Sequence, residues 1–474
     1  MDKLQEYINQ FFPKNKRVSY DKDAFFGIDF DATICNNDPV NLEVDFATVD
    51  AVISLWKGED FDVSKFAKNK HLNEDAVRRI YNKASTFVGP LNNEAKQRLN
   101  EVLSRPNILG DHLGNNAGKW PTNQDDYNKA MAGKPINALL KYVATEAGLY
   151  QDKDAFNDFI DEKIVKRVEV ASLSEIVPEV VKGPFEGWPE AWQAMDKAGI
   201  DYAIVTSSEY LRVIPLLESA NIGQYFGFGK KEYDLYHNLQ KQLTVYENDL
   251  DKLEKMHKDD PYAEEIMAKR EQIFDLKADF HKQIKGNKNL HLYSAAEEEF
   301  RVNEENLRRK FAVIRSHKAD GSYKVGMNVD SEYEKAPEFK RKAAGDIYGL
   351  AIAEESEKRD KVYSFGLGIE DSGSIAAIKD SRVYEGSKGA YGGDEAANKY
   401  ELAIGLVMAS HYDVDKQTKK LYDGGADKVF CNISDVKDFV IANSKKLKGK
   451  ETLTDRDNWN ALASSLAKYG NNIR

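Results

Sequence analysis

Three short apolar runs organise the chain, and each stops at a polar cluster. Ala24, Phe25, Phe26, Gly27 and Ile28 run into Asp29, Phe30 and Asp31. Tyr202, Ala203, Ile204 and Val205 end at Thr206, Ser207 and Ser208. Residues 362–369 end at Glu370, Asp371 and Ser372. Runs of this kind predict parallel strands buried on both faces. Helices predicted over residues 211–220 and 374–380 follow the second and third runs. Strands alternating with helices imply a parallel sheet with right-handed crossovers. A fourth strand, over residues 428–431, precedes a C-terminal apolar helix.

Long segments separate these strands. Residues 39–184 are far longer than a crossover helix and read as mostly helical, for example over 94–103 and 136–147. They predict a helical domain inserted over the strand ends. Further on, Leu239, Leu243, Tyr246, Leu250 and Leu253 recur at spacings of four and three, a coiled-coil seam. Asp259, Asp260 and Pro261 break it, with Pro261 suited to the first turn of the next helix. Ile266, Ile273, Leu276, Phe280 and Ile284 then form a second stripe. A projecting helical hairpin is predicted within residues 237–333, and residues 386–422 read as a further insertion, glycine-rich and then helical. The α/β core is therefore expected to comprise 1–38, 185–236 and 334–474, with a helical cap over 39–184.

Composition narrows the chemistry. The chain of 474 residues carries 68 Lys and Arg against 79 Asp and Glu, a net charge of -11. That argues against a generic polyanion binder, so no nucleic-acid partner is expected. Two cysteines, Cys35 and Cys431, exclude a disulfide framework and multi-cysteine metal sites, and fit a reducing compartment. No run of 18 apolar residues exists, and residues 1–16 carry mixed charge without a long apolar core. The expected address is the cytoplasm, with no membrane partner.

The strand ends carry the candidate site. In Asp29-Phe30-Asp31-Ala32-Thr33, residues i and i+2 of an extended chain point to one side, so two carboxylates leave together. In isolation this segment is equally a polar turn. Thr206 and Ser207 are small hydroxyl donors suited to phosphate oxygens, and elsewhere would be a turn or a helix cap. Glu370 and Asp371 form an ordinary acidic loop alone, but together with Asp29 they supply hard oxygen ligands for Mg²⁺. Open α/β sheets place ligands at the carboxyl ends of their strands, and all three clusters sit there.

These ordered motifs resemble the haloacid-dehalogenase-like (HAD) superfamily. Residues 26–33, 203–208 and 368–378 are similar to its first, second and fourth motifs. The last of these, Asp38-Pro39 and Gly133-Lys134-Pro135 resemble the β-phosphoglucomutase and sugar-phosphatase branch. The resemblance covers about half the chain. It implies a doubly wound, Rossmann-like core with a helical cap, interrupted here by the hairpin. The third motif needs a lysine: Lys342 fits best, with Lys335 the alternative. Ala32 departs from the glycine usual at its position; a positive φ there would cost on the order of 1 kcal/mol.

The resemblance implies a Mg²⁺-dependent phosphatase acting on a small phosphorylated metabolite. Asp29 is the expected nucleophile and Asp31 the acid and base. Asp29, Asp31 through its carbonyl, Glu370 and Asp371 are the expected metal ligands. Thr206, Ser207 and Lys342 would hold the phosphate, and Thr33 would order the Asp31 loop. Two alternatives remain open: a phosphomutase, or a binding protein that docks or dimerises through the hairpin. His257 and His281 are expected at the surface. His112 reads as a loop residue, residues 114–120 as a weak candidate substrate loop, Trp188 and Trp192 as packing, and Cys35 as a small buried residue.

Overall fold

The computed structural model describes residues 23–113, 118–131, 136–149, 168–257, 259–336, 346–359, 363–371, 375, 378, 400–408 and 413–447. Six strands among them, β1 (Asp23–Ile28), β2 (Asp201–Thr206), β3 (Leu292–Ser294), β4 (Tyr363–Glu370), β5 (Tyr400–Leu406) and β6 (Lys428–Phe430), form one sheet in the order β3-β2-β1-β4-β5-β6. Every pairing is parallel. The chain winds outward from β1 through β2 to β3, then crosses back to β4 and winds the other way. The order therefore reverses between β1 and β4, which opens a crevice at their carboxyl ends.

Alternation along the strands assigns the two faces. Phe26, Ile28, Ile204, Leu367, Ile369 and Ile404 face one apolar cluster, whereas Phe25, Ala203, Val205, Tyr363 and Ala403 face the other. The helices are α1 (Asp38–Lys57), α2 (Glu74–Phe87), α3 (Asn93–Leu103), α4 (Ile108–Leu113), α5 (Gln124–Met131), α6 (Ile136–Glu146), α7 (Ala171–Val180), α8 (Trp188–Ala198), α9 (Tyr210–Ser219), α10 (Lys230–Met256), α11 (Glu264–Gly286), α12 (Ala295–Asp320), α13 (Asp346–Arg359), α14 (Val414–Asp423) and α15 (Ile433–Leu447). The first face is covered by α8, α9 and α15, and the second by α12, α13 and α14. Helices on both faces explain why the strands carry no polar face. At Gly368 a Cβ would come within 2.4 Å of Ile378, so the close approach of that segment to β4 needs glycine.

The segment between β1 and β2 is helical, as expected. Its first helix, α1, is buried nearly all round, including Val44, Phe46, Val49 and Val52. These side chains join the cluster that contains Phe26 and Ile28. The helical layer thus shares its apolar core with the sheet.

The hairpin also forms. Helices α10 and α11 are joined at residues 257–263, and Leu239, Leu243, Leu250, Ile266, Ile273, Phe280 and Ile284 are buried along it. Helix α10, at 27 residues, is about 40 Å long. Three expectations need correction. Pro261 lies in the turn ahead of α11, which starts at Glu264. The stretch 237–333 is more than an insertion, because it contains the edge strand β3. The stretch 386–422 likewise contains β5. Both strands are poor in sequence signal: β3 has three residues, and β5 mixes Gly and Ala into its run.

His281 is the fourth correction. It is buried at 7% exposure, stacked on Tyr210 with ring centroids 5.5 Å apart. Its ring nitrogens lie 3.7 Å from Glu297 and 3.4 Å from Glu298. Glu298 also binds Lys285 at 2.8 Å. Burial works against charge on the imidazole, but the two carboxylates outweigh it and raise its pKa from 6.5 to about 9. A raised imidazole pKa stabilises the fold fully below the unfolded value and loses that contribution as pH climbs through the folded value. Urea titrations should show stability falling by on the order of 3 kcal/mol as pH rises from 6.5 to about 9. His281→Phe should flatten that slope, and a flat wild-type profile would remove this clasp from the account.

Candidate functional site

Strand register brings the three polar clusters together. Ile28 is level with Ile204 on one side and Ile369 on the other. The Asp29 amide donates to the Ile369 carbonyl at 2.9 Å, extending the ladder one step. Asp29, Thr206, Glu370 and Asp371 therefore leave three adjacent strands within about two residues of one level, with neighbouring strands roughly 4.8 Å apart. Carboxylate oxygens of Asp29, Glu370 and Asp371 lie within 4.8 Å of one another, and all three residues are buried.

A tight loop sets Asp31. Ala32 adopts φ 56°, the left-handed region, as the absence of the usual glycine made a concern. The cost, on the order of 1 kcal/mol, is offset locally: the Ala32 amide donates to Asn37 Oδ1 at 3.2 Å. The same Asn37 donates through Nδ2 to Asp31 Oδ1. Ser208 donates to Asp31 Oδ2 at 2.5 Å. Both carboxylate oxygens are thus held, which fixes the plane of Asp31. Thr33 donates to Asp29 Oδ2 at 3.1 Å, so this hydroxyl orients the first carboxylate as well as ordering the loop.

The other residues fall as follows. Thr206 is fully buried, and its hydroxyl accepts the Ser208 amide at 3.0 Å, turning the chain after β2. Ser207 is exposed. Tyr348 donates to Glu370 Oε1, and Gln417 donates to the Asp371 carbonyl. Lys342 lies outside the described residues, and Lys335 is exposed in the loop after α12. The side chain of His112 and residues 114–117 and 133–135 also lie outside the description. Cys35 is buried, and burial together with Asp31 pushes its thiol far above the ordinary range, as suits an inert core residue.

Several contributors were not assigned a role from sequence. Trp188 was read as packing. It does stack on Trp192 with centroids 5.3 Å apart, but its indole N–H also donates to the Thr33 carbonyl at 2.8 Å. Asn37 and Ser208 carry no residue-type signal that separates them from ordinary turn residues. Arg212, on α9, sends its charge toward Asp31, Glu169, Asp45 and Glu209. Asp38, at the start of α1, is pushed up to about 7 by burial and by the charges of Asp31 and Asp29, against the pull of Arg212.

No family model, curated protein or solved structure matches the chain.

Trp188→Phe keeps the ring packing and deletes the donor to the Thr33 carbonyl. Leaving that buried oxygen unsatisfied should destabilise the protein by about 1–3 kcal/mol. Thermal unfolding of the variant checks this; an unchanged midpoint would show that the bond does not hold the loop.

Proposed function

We propose that the protein is a Mg²⁺-dependent phosphatase that hydrolyses a small phosphomonoester through a phosphorylated aspartate. The reading is carried by one observation: three buried carboxylates, Asp29, Glu370 and Asp371, converge where the strand order reverses. Buried carboxylates repel one another and lose hydration, so such a trio is stable when a cation shares it. Carboxylate oxygens within 4.8 Å of one another could share one cation. The donor set, all hard oxygen, fits this ion.

Asp29, Glu370, Asp371 and the Asp31 carbonyl would hold the metal. When bound, Mg²⁺ supplies the positive charge that lets a carboxylate approach a phosphate dianion. An Asp29 oxygen attacks phosphorus, a P–O bond forms, and the bond to the leaving alcohol breaks. Asp31 gives its proton to the departing oxygen. It then takes a proton from water, whose oxygen attacks phosphorus and releases phosphate and free Asp29. Ser208 and Asn37 hold Asp31 in one plane through both transfers. The turn closed by Thr206 would present hydroxyl and amide donors to the phosphoryl oxygens.

Hydrolysis of p-nitrophenyl phosphate tests the reading. Activity should require Mg²⁺, disappear with a chelator and return on adding the ion back. Asp29→Asn should lower kcat by at least about 10³. Full Mg²⁺-dependent activity in that variant would overturn the assignment.

A further inference from the structure

Two donors reach the acidic end of β4 from the helices on the second face of the sheet. Tyr348 stands in the first turn of α13, and its hydroxyl donates to Glu370 Oε1. Gln417, on α14, donates through Nε2 to the backbone carbonyl of Asp371. The two contacts differ in kind. Gln417 holds main chain, whereas Tyr348 engages an oxygen of a carboxylate that belongs to the acidic trio.

Packing fixes the Tyr348 ring. Ile347, Tyr348, Ala351 and Ile352 are fully buried in the second apolar cluster, together with Ile375 and Ile378. Glu370 is fully buried as well. The hydroxyl therefore meets Glu370 from a side chain that has no room to swing away. A carboxylate can ligate a cation through one oxygen or chelate it with both. Chelation needs the carboxylate free to turn and both oxygens available to the ion. A hydroxyl donated from a fixed ring restrains that rotation and occupies a lone pair of one oxygen.

The two modes suit different cations. Mg²⁺ demands near-ideal octahedral geometry, keeps several waters and takes few carboxylates, whereas Ca²⁺ accepts more oxygens and binds carboxylates in either mode. One oxygen from each of Asp29, Glu370 and Asp371 lies within 4.8 Å of the others. Single oxygens from the trio, with the Asp31 carbonyl, leave octahedral positions open for water and a phosphoryl oxygen. We propose that Tyr348 is a positioning residue that sets metal selectivity: by holding Glu370 to one-oxygen ligation, it favours Mg²⁺ over Ca²⁺. The inference rests on the metal site of the phosphatase reading and deepens it. Tyr348 acts through Glu370.

Calorimetric titration of the full chain with Mg²⁺ alone and with Ca²⁺ alone reads the selectivity without turnover. Tyr348→Phe keeps the ring and deletes the donor. The ratio of the Mg²⁺ to the Ca²⁺ association constant should fall at least about fivefold, mainly through tighter Ca²⁺ binding. Gln417→Met removes the main-chain contact and should leave the ratio unchanged. An unchanged ratio in Tyr348→Phe, or an equal fall in Gln417→Met, overturns the inference. Should Tyr348→Phe fail to fold, Glu370→Gln decides the matter, since an amide binds through one oxygen. Similar losses of affinity for the two ions are expected, and a clearly larger loss for Ca²⁺ would show that Glu370 already chelates it. Hydrolysis of p-nitrophenyl phosphate separates the two readings. Mg²⁺-dependent hydrolysis with an unchanged ratio sinks the selectivity role and leaves the phosphatase standing. A shifted ratio without any hydrolysis supports the role of Tyr348 and sinks the phosphatase, and a wild-type chain that binds neither cation overturns both.

Discussion

Mutual repulsion among buried carboxylates is the constraint from which the rest follows. Asp29, Glu370 and Asp371 are each nearly solvent-free, with oxygens close enough to share one cation. Two adjacent parallel strands ending at the same level put them there, because Asp29 hydrogen-bonds across to Ile369. Neighbouring strands lie about 4.8 Å apart, so side chains leaving both at one level cannot avoid each other. The paired strands therefore hold the three acids close together at the switch point.

The surroundings work to hold that arrangement. Asn37 and Ser208 grip both oxygens of Asp31, and Trp188 reaches from α8 to the carbonyl of Thr33. Ser208 is itself fixed, since its carbonyl accepts from Ser294 at 2.6 Å. Ser294 ends β3 and caps α12, and Glu297 in the next turn accepts the Tyr210 amide at 2.8 Å. His281 and Lys285 on the hairpin bind the carboxylates of that same turn. A continuous set of contacts thus runs from the hairpin, through α12, to the loop that carries Ser208. The hairpin is tied to the site it flanks.

The helical layer meets the site from the other side. Its helix α1 begins directly after the Asp31 loop, and two of its acids, Glu43 and Asp50, complete the fold. Glu43 accepts three backbone amides and Asp50 pairs with Lys65 at 3.0 Å, whereas Asp45 Oδ1 finds no hydrogen-bond partner among the described residues.

The central strands and their polar ends were legible in the linear chain because burial on both faces demands unbroken apolar runs, and because i, i+2 acids in extended backbone share a side. The hairpin was legible for the same kind of reason: a seam repeating at four and three has one helical solution. Other features depended on contacts between residues far apart in sequence. The strands β3 and β5 are defined by the neighbours they pair with, since three residues or a Gly/Ala run hold no decisive pattern. Trp188 and Thr33 are 155 residues apart, and Ser208 and Asp31 are 177 apart. Histidine 281 looked like a surface residue until α12 brought two glutamates beside it. Residue type and spacing determined which polar groups could meet at the strand ends; only the packing decided which donors hold Asp31.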